Sequence, residues 1–186
     1  MDGTKPDGLR LSKTVKGVTT THIWDGSNIT MELGDNNAVI GKYTRGIGLI
    51  SNNSGPYYIF NAHGDVVQLA NASGTVTKNY AYDAFGVEID PDDNDTNPWR
   101  YCGEYFDKET ETIYLRARYY HPKTGRFLSA DPIKAGLNWY TYASNNPVKF
   151  TDPMGLKSVS AVNFLKRRGA KVRLQKMPSS GGFLFR

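Results

Sequence analysis

The sequence predicts a mainly β chain of serial antiparallel β-hairpins, with short helices near the C-terminus. Three observations predict it. Several short segments alternate apolar, β-branched or aromatic residues with polar ones at period two. Glycines at positions 8, 17, 26, 64, 74 and 86 fall nine to twelve residues apart within each stretch, which is the rhythm of consecutive hairpins. No long stretch repeats at the 3.6-residue period of an amphipathic helix. With 186 residues the chain has room for one domain of ordinary size and a buried core.

The elements run in order along the chain. Residues 9–15 alternate as a half-buried strand, with Gly17 as the turn residue. Residues 18–24 are β-branched and aromatic and end at the Asp25-Gly26 turn. Residues 66–69 and 75–82 are strands separated by Asn71-Ala72-Ser73-Gly74, and the second is broken by Asp83-Ala84-Phe85-Gly86. Residues 90–98 form an acidic loop. Residues 113–120 alternate strongly and read as one strand; His121 to Gly125 is a turn, and Arg126-Phe127-Leu128 is extended again. Residues 137–144 read as a short helix ended by Asn145-Asn146-Pro147, and Ser158 caps a second helix running to Arg168.

Charge divides the chain. Residues 1–156 hold 15 Lys and Arg against 18 Asp and Glu, whereas residues 157–186 hold 8 Lys and Arg and no acid. The net +5 therefore belongs to the last 30 residues. No apolar run reaches the roughly 18 residues of a membrane helix, and the polar N-terminus has no signal-peptide core. The single cysteine, Cys102, excludes an internal disulfide and a CxxC metal pair.

Between residues 74 and 156 linked motifs occur in a fixed order. Tyr80-Ala81-Tyr82-Asp83-Ala84-Phe85-Gly86 resembles a YD repeat of the Rhs (rearrangement hotspot) family. Asn97-Pro98-Trp99-Arg100-Tyr101-Cys102-Gly103-Glu104-Tyr105-Phe106-Asp107 resembles the opening of the Rhs repeat-associated core domain. Its centre is matched by Tyr114-Leu115-Arg116-Ala117-Arg118-Tyr119-Tyr120 and by Gly125-Arg126-Phe127-Leu128-Ser129-Ala130-Asp131-Pro132. Asp152-Pro153-Met154-Gly155-Leu156 matches its end. The resemblance covers about residues 7–156. It divides the chain into a YD-repeat-like hairpin region (1–96), the core domain (97–156) and a basic variable tail (157–186).

The resemblance implies a β-hairpin strip from a hollow shell around a C-terminal toxin, here an open fragment, since family members are usually far longer. It implies a structural or encapsulating, non-enzymatic module at the C-terminal end of a polymorphic toxin or wall-associated protein. The expected partners are a further YD-repeat chain or a C-terminal toxin segment, and the expected setting is secreted or at the cell surface. In several family members the core domain is an aspartyl self-protease cutting after the Asp-Pro-x-Gly-Leu motif. Carried to this chain, the acids are Asp131 and Asp152, with Arg126 as electrostatic partner and the cut between Leu156 and Lys157. Two carboxylates must share a proton for that chemistry. Many relatives carry an Asp where this chain has Ala135, so weak or absent cleavage is expected, with both acids serving as turn initiators.

Other signals are weaker. Residues 90–95 begin like a calcium loop, but its sixth position is Asp95 instead of Gly and its twelfth is Tyr101 instead of Glu; a connector is the better reading. His22, His63 and His121 have no ligand spacing, Cys102 has no paired histidine in view, and no phosphate-binding glycine loop is present, so neither metal nor cofactor is expected. Tyr80, Tyr82, Tyr114, Tyr119 and Tyr120 offer either a surface platform for cell-wall glycan or cross-strand packing, the latter being the default. The basic clusters at Lys166-Arg167-Arg168 and Lys171-Val172-Arg173 would bind polyanions by charge alone, so no specific nucleic-acid partner is expected. Open sheet edges predict self-association.

Overall fold

The computed structural model describes residues 3–4, 8–134, 137–161, 163, 174–176 and 183–185. Its largest element is a nine-stranded antiparallel sheet in which every strand pairs with its neighbour in sequence. The strands are β1 (Gly3–Thr4), β2 (Arg10–Val15), β3 (Val18–Asp25), β4 (Asn28–Leu33), β5 (Val39–Arg45), β6 (Leu49–Asn52), β7 (Tyr57–Phe60), β8 (Val66–Ala70) and β9 (Val76–Asn79). The predicted serial hairpins are therefore the observed fold.

One turn design recurs from β6 to just past β9, at residues 52–56, 61–65, 71–75 and 83–87. In each, the first residue's N–H donates to the fifth residue's carbonyl, and the fourth residue's N–H donates back to the first residue's carbonyl. The first residue is Asn52, Asn61, Asn71 or Asp83, and its side-chain oxygen accepts the N–H of the third residue. In the last three turns it also accepts the N–H of the fifth. Asn and Asp nucleate such turns because the short side chain replaces a backbone acceptor.

A second sheet of four strands comes next: β10 (Tyr105–Asp107), β11 (Thr112–Leu115), β12 (Arg118–His121) and β13 (Arg126–Phe127). Here the structure corrects the sequence reading, because residues 113–120 are two strands and not one. The chain reverses at Arg116-Ala117, with Leu115 paired to Arg118 and Arg116 in the left-handed region at φ +60°. The strain is offset by side-chain bonds from Arg116 to the carbonyls of Ser27 and Pro153 and to the Glu104 carboxylate. Alternation misled because every residue of β11 is buried, so the segment carries no polar face to mark its ends.

The predicted helix over residues 137–144 is also corrected. Only a three-residue turn forms there, Ala143–Asn145. The carbonyls of Trp139 and Tyr140 instead accept the N–H groups of Asp131 and Phe127, tying the segment beside the second sheet. β14 (Phe150–Thr151) pairs with β15 (Val159–Ser160), so the start of the second predicted helix is a strand; its remainder to Arg168 lies largely outside the described residues, as do both basic clusters. β16 (Leu174–Lys176) and β17 (Phe183–Phe185) form a hairpin. No helix among the described residues is long and apolar enough to cross a membrane.

Two apolar clusters hold the sheets together. The first joins Ile29, Tyr43, Tyr58 and Val66 of the large sheet to Trp99, Tyr105 and Tyr114, crossing residue 96. The second packs Cys102, Ile113, Tyr120, Phe127 and Tyr142, with the rings of Tyr120 and Tyr142 stacked at 3.9 Å. Tyr80, Tyr114 and Tyr120 are buried, and Tyr82 and Tyr119 are half-buried against the clusters, so these five rings pack the interior. Polar links also cross between sheets. The buried Glu32 carboxylate accepts the hydroxyls of Tyr43 and, at 2.6 Å, of Tyr105. Arg10 reaches Asp107 at 2.5 Å with both side chains buried.

Candidate functional site

The residue pattern Asp-Pro-Met-Gly-Leu forms a turn because Asp152 binds back onto the residues after it. Its Oδ1 accepts the N–H groups of Leu156 (3.0 Å) and Lys157 (3.1 Å). Gly155 is required there: its φ is +64°, and a Cβ would lie 2.7 Å from the Leu115 carbonyl oxygen and 3.0 Å from the Arg118 nitrogen. The turn is thus seated directly on the β11–β12 hairpin. Arg118 secures it from below, donating through Nε to the Gly155 carbonyl at 2.5 Å and through Nη1 to the Trp139 carbonyl at 2.9 Å. Its Nη2 is 3.6 Å from Asp152 Oδ2, and its guanidinium lies over the Phe127 ring at 3.5 Å.

Asp131 is brought to the same place by its own turn. Its Oδ1 accepts the Ile133 N–H at 2.9 Å, and its backbone binds Trp139 and Lys134. Both acids are buried, Asp131 at 7% and Asp152 at 2% exposure. Asp131, Asp152, Arg118, Leu156 and Lys157 line one cleft of about 450 Å³. Burial pushes the Asp152 carboxyl above its ordinary value, opposed by the Leu156 and Lys157 N–H groups and by Arg118. Burial likewise pushes the Arg118 guanidinium down, while the charges of Asp131 and Asp152 hold it up.

Four of the five residues singled out in the sequence, Asp131, Asp152, Leu156 and Lys157, therefore meet at this cleft. Arg126 does not line it. It is exposed on β13, its Cα paired with that of His121, and lines a separate depression with Asp83 and Phe85. The cation in the cleft is Arg118, which the sequence conceals in an alternating run that looks like plain strand. Ala135 lies outside the described residues.

A second polar cluster has no counterpart in the sequence reading. His63 and Asp65 occupy the third and fifth positions of the 61–65 turn, and Cys102 lies in the turn Tyr101–Gly103. His63 Nδ1 is 2.9 Å from Asp65 Oδ1 and 3.8 Å from Cys102 Sγ. Asp65 Oδ1 also accepts the Cys102 N–H at 2.9 Å. Burial alone would lower the His63 imidazole, but Asp65 and Cys102 hold it up at about 11; burial pushes the Cys102 thiol up. In the acidic loop, Asp92 pairs with Lys78 at 2.7 Å and Asp95 with Arg100 at 3.0 Å, so these two carboxylates serve as ion-pair partners.

Comparison with known proteins places this geometry. The family model described as the teneurin YD-shell matches residues 39–148. The tRNA3(Ser)-specific nuclease WapA of Bacillus spizizenii is 38% identical over 164 residues, covering 80% of this chain and 7% of that protein. The toxin protein Tse5 of Pseudomonas aeruginosa is 46% identical over 61 residues, 32% of this chain and 5% of Tse5. The crystal structure of TcdB2-TccC3-TEV superposes with a TM-score of 0.62 at 24% identity, over 83% of this chain and 9% of that one. The chain thus spans under a tenth of the length of each of these proteins.

Proposed function

We propose, given that this chain belongs to the teneurin YD-shell family, that it closes the end of a toxin-type β-shell and cuts its own backbone after Leu156. A structural, shell-like module of toxin-type proteins is the common ground of the family match and the relatives. The nine-stranded strip would extend a longer YD-repeat chain, and the second sheet would end it. The segment after Leu156 would be the cargo, in a protein that works outside its cell of origin.

One observation carries the cleavage reading: Asp131, Asp152 and the Leu156–Lys157 bond line a single cleft. Paired acids hydrolyse amides when one is ionised and the other protonated. Asp131 would take a proton from water, whose oxygen then bonds to the Leu156 carbonyl carbon. Asp152, raised by burial, would protonate the Lys157 nitrogen from Oδ2 as the C–N bond breaks, since Oδ1 already accepts the Leu156 and Lys157 N–H groups. The products are a Leu156 carboxyl and a Lys157 amine. Arg118 would be a positioning residue, holding the Gly155 carbonyl and Asp152. Cleavage departs from the intact chain expected with Ala135, because the second acid is supplied by Asp152.

Intact mass of freshly purified and incubated protein tests it. The expected species ends at Leu156, and Asp131→Asn or Asp152→Asn leaves only full-length chain that still unfolds in one cooperative transition. Full-length wild type throughout, between pH 4 and 8, would reduce the function to a non-enzymatic closing module.

A further inference from the structure

We infer that His63, Asp65 and Cys102 form a binding site for one zinc-class divalent cation. The three ligand atoms lie within 4.8 Å of one another. Thiolate, imidazole and carboxylate together suit zinc; calcium and magnesium take oxygen alone. Tetrahedral zinc with Zn–N of about 2.1 Å and Zn–S of about 2.3 Å sets a ligand separation of roughly 3.6 Å. The His63 Nδ1 to Cys102 Sγ distance is 3.8 Å. The Asp65 oxygen, at 2.9 Å from Nδ1, needs to move out by about half an ångström.

The convergence of the groups favours a cation over a proton relay. In a Cys–His–Asp catalytic arrangement the thiol and carboxylate use opposite ring nitrogens. Here both face the same one, Nδ1. A single N–H cannot point well at both, whereas a cation among them satisfies all three. The ligands are also fixed from outside. Asn61 Oδ1 accepts the N–H groups of His63, Gly64 and Asp65, and Asn61 Nδ2 donates to Asp65 Oδ2 at 2.7 Å. Such outer contacts are what hold metal ligands in register. His63 and Asp65 also line a cavity of about 410 Å³ beside Tyr101, which gives the ion a way in and leaves its fourth position to water. On binding, the cation replaces the proton on Nδ1 and the proton on Sγ, so two protons leave.

The test uses the full, untagged chain stripped with a chelator, then given zinc chloride or cobalt chloride alone. The expected result is one zinc per chain by elemental analysis, with a near-ultraviolet thiolate-to-cobalt absorption in the cobalt form. Cys102→Ala should abolish that absorption, and His63→Gln, which leaves the buried thiol in place, should weaken zinc binding at least tenfold. Absence of stoichiometric zinc uptake by the wild type would overturn the inference. So would uptake that both variants retain unchanged. Neither result bears on cleavage after Leu156.

Discussion

Glu32 is the most exacting test of how the two sheets are joined. Its buried carboxylate is the acceptor for the hydroxyls of Tyr43 and Tyr105, one from each sheet, with His22 Nε2 at 3.5 Å. Glu32→Ala leaves both phenols without that acceptor in the core. Each buried donor left unmade costs about 1–3 kcal/mol, so the variant should lose about 2–6 kcal/mol. In a chain of this length each kcal/mol moves the thermal midpoint by about 2–4 °C; a central loss of about 4 kcal/mol then gives a drop of about 8–16 °C. Glu32→Gln keeps one acceptor and should fall between the two. The pH dependence has a definite sign. Burial pushes the Glu32 carboxyl up, but His22, Tyr105 and Tyr43 outweigh it and hold it below its ordinary value. Its contribution is therefore present above the unfolded value of about 4.3 and fades as pH falls through the lower folded value. Urea titrations of wild type and both variants at pH 7 and at stepwise lower pH measure all of this. An alanine variant within about 0.5 kcal/mol of wild type, the range of an ordinary surface substitution, would refute the reasoning.

Two further outcomes are expected. Gly86 has φ +90°, and a Cβ there would stand 2.6 Å from the Tyr101 ring; Gly86→Ala should cost about 2–4 kcal/mol through backbone strain and overpacking, measured by chemical denaturation. The large sheet ends at β1 and β9 and exposes Val39, Ile40 and Ile59, so the isolated chain should self-associate at tens of micromolar in light scattering, and a clean monomer would contradict this.

How legible the molecule was in its sequence depended on the range of the interaction. β2, β3 and β8 are set by β-branched and alternating residues and by glycine-containing turns such as Lys16-Gly17, Asp25-Gly26 and Asn71–Gly74, all of them local. The hairpin at Arg116 was hidden because Ile113, Tyr114 and Leu115 are buried on both faces, and because the turn is held by Ser27 and Pro153, distant in the chain. The Asp131/Asp152 cleft was reached by resemblance, and Arg118 was missed because its role depends on a carbonyl 37 residues away. The same separation problem hid Cys102 from His63, 39 positions apart. Spacing rules for metal ligands detect neighbours along the chain, not neighbours across a sheet.

The recurring five-residue turn bears on how such a strip acquires chemistry. Its backbone closure depends on the first residue's side chain and on main-chain groups, so the side chain at the third position can vary without breaking the turn. Across the four turns that position holds Ser54, His63, Ser73 and Phe85, an alcohol, an imidazole and a phenyl ring on one chassis. Phe85 uses the slot to reach the spot where a Gly125 side chain would otherwise stand, and His63 uses it to reach Cys102. A hairpin array of this kind is a row of interchangeable sockets at nine- to twelve-residue intervals. A new side chain can be tried in one socket while the others go on holding the fold.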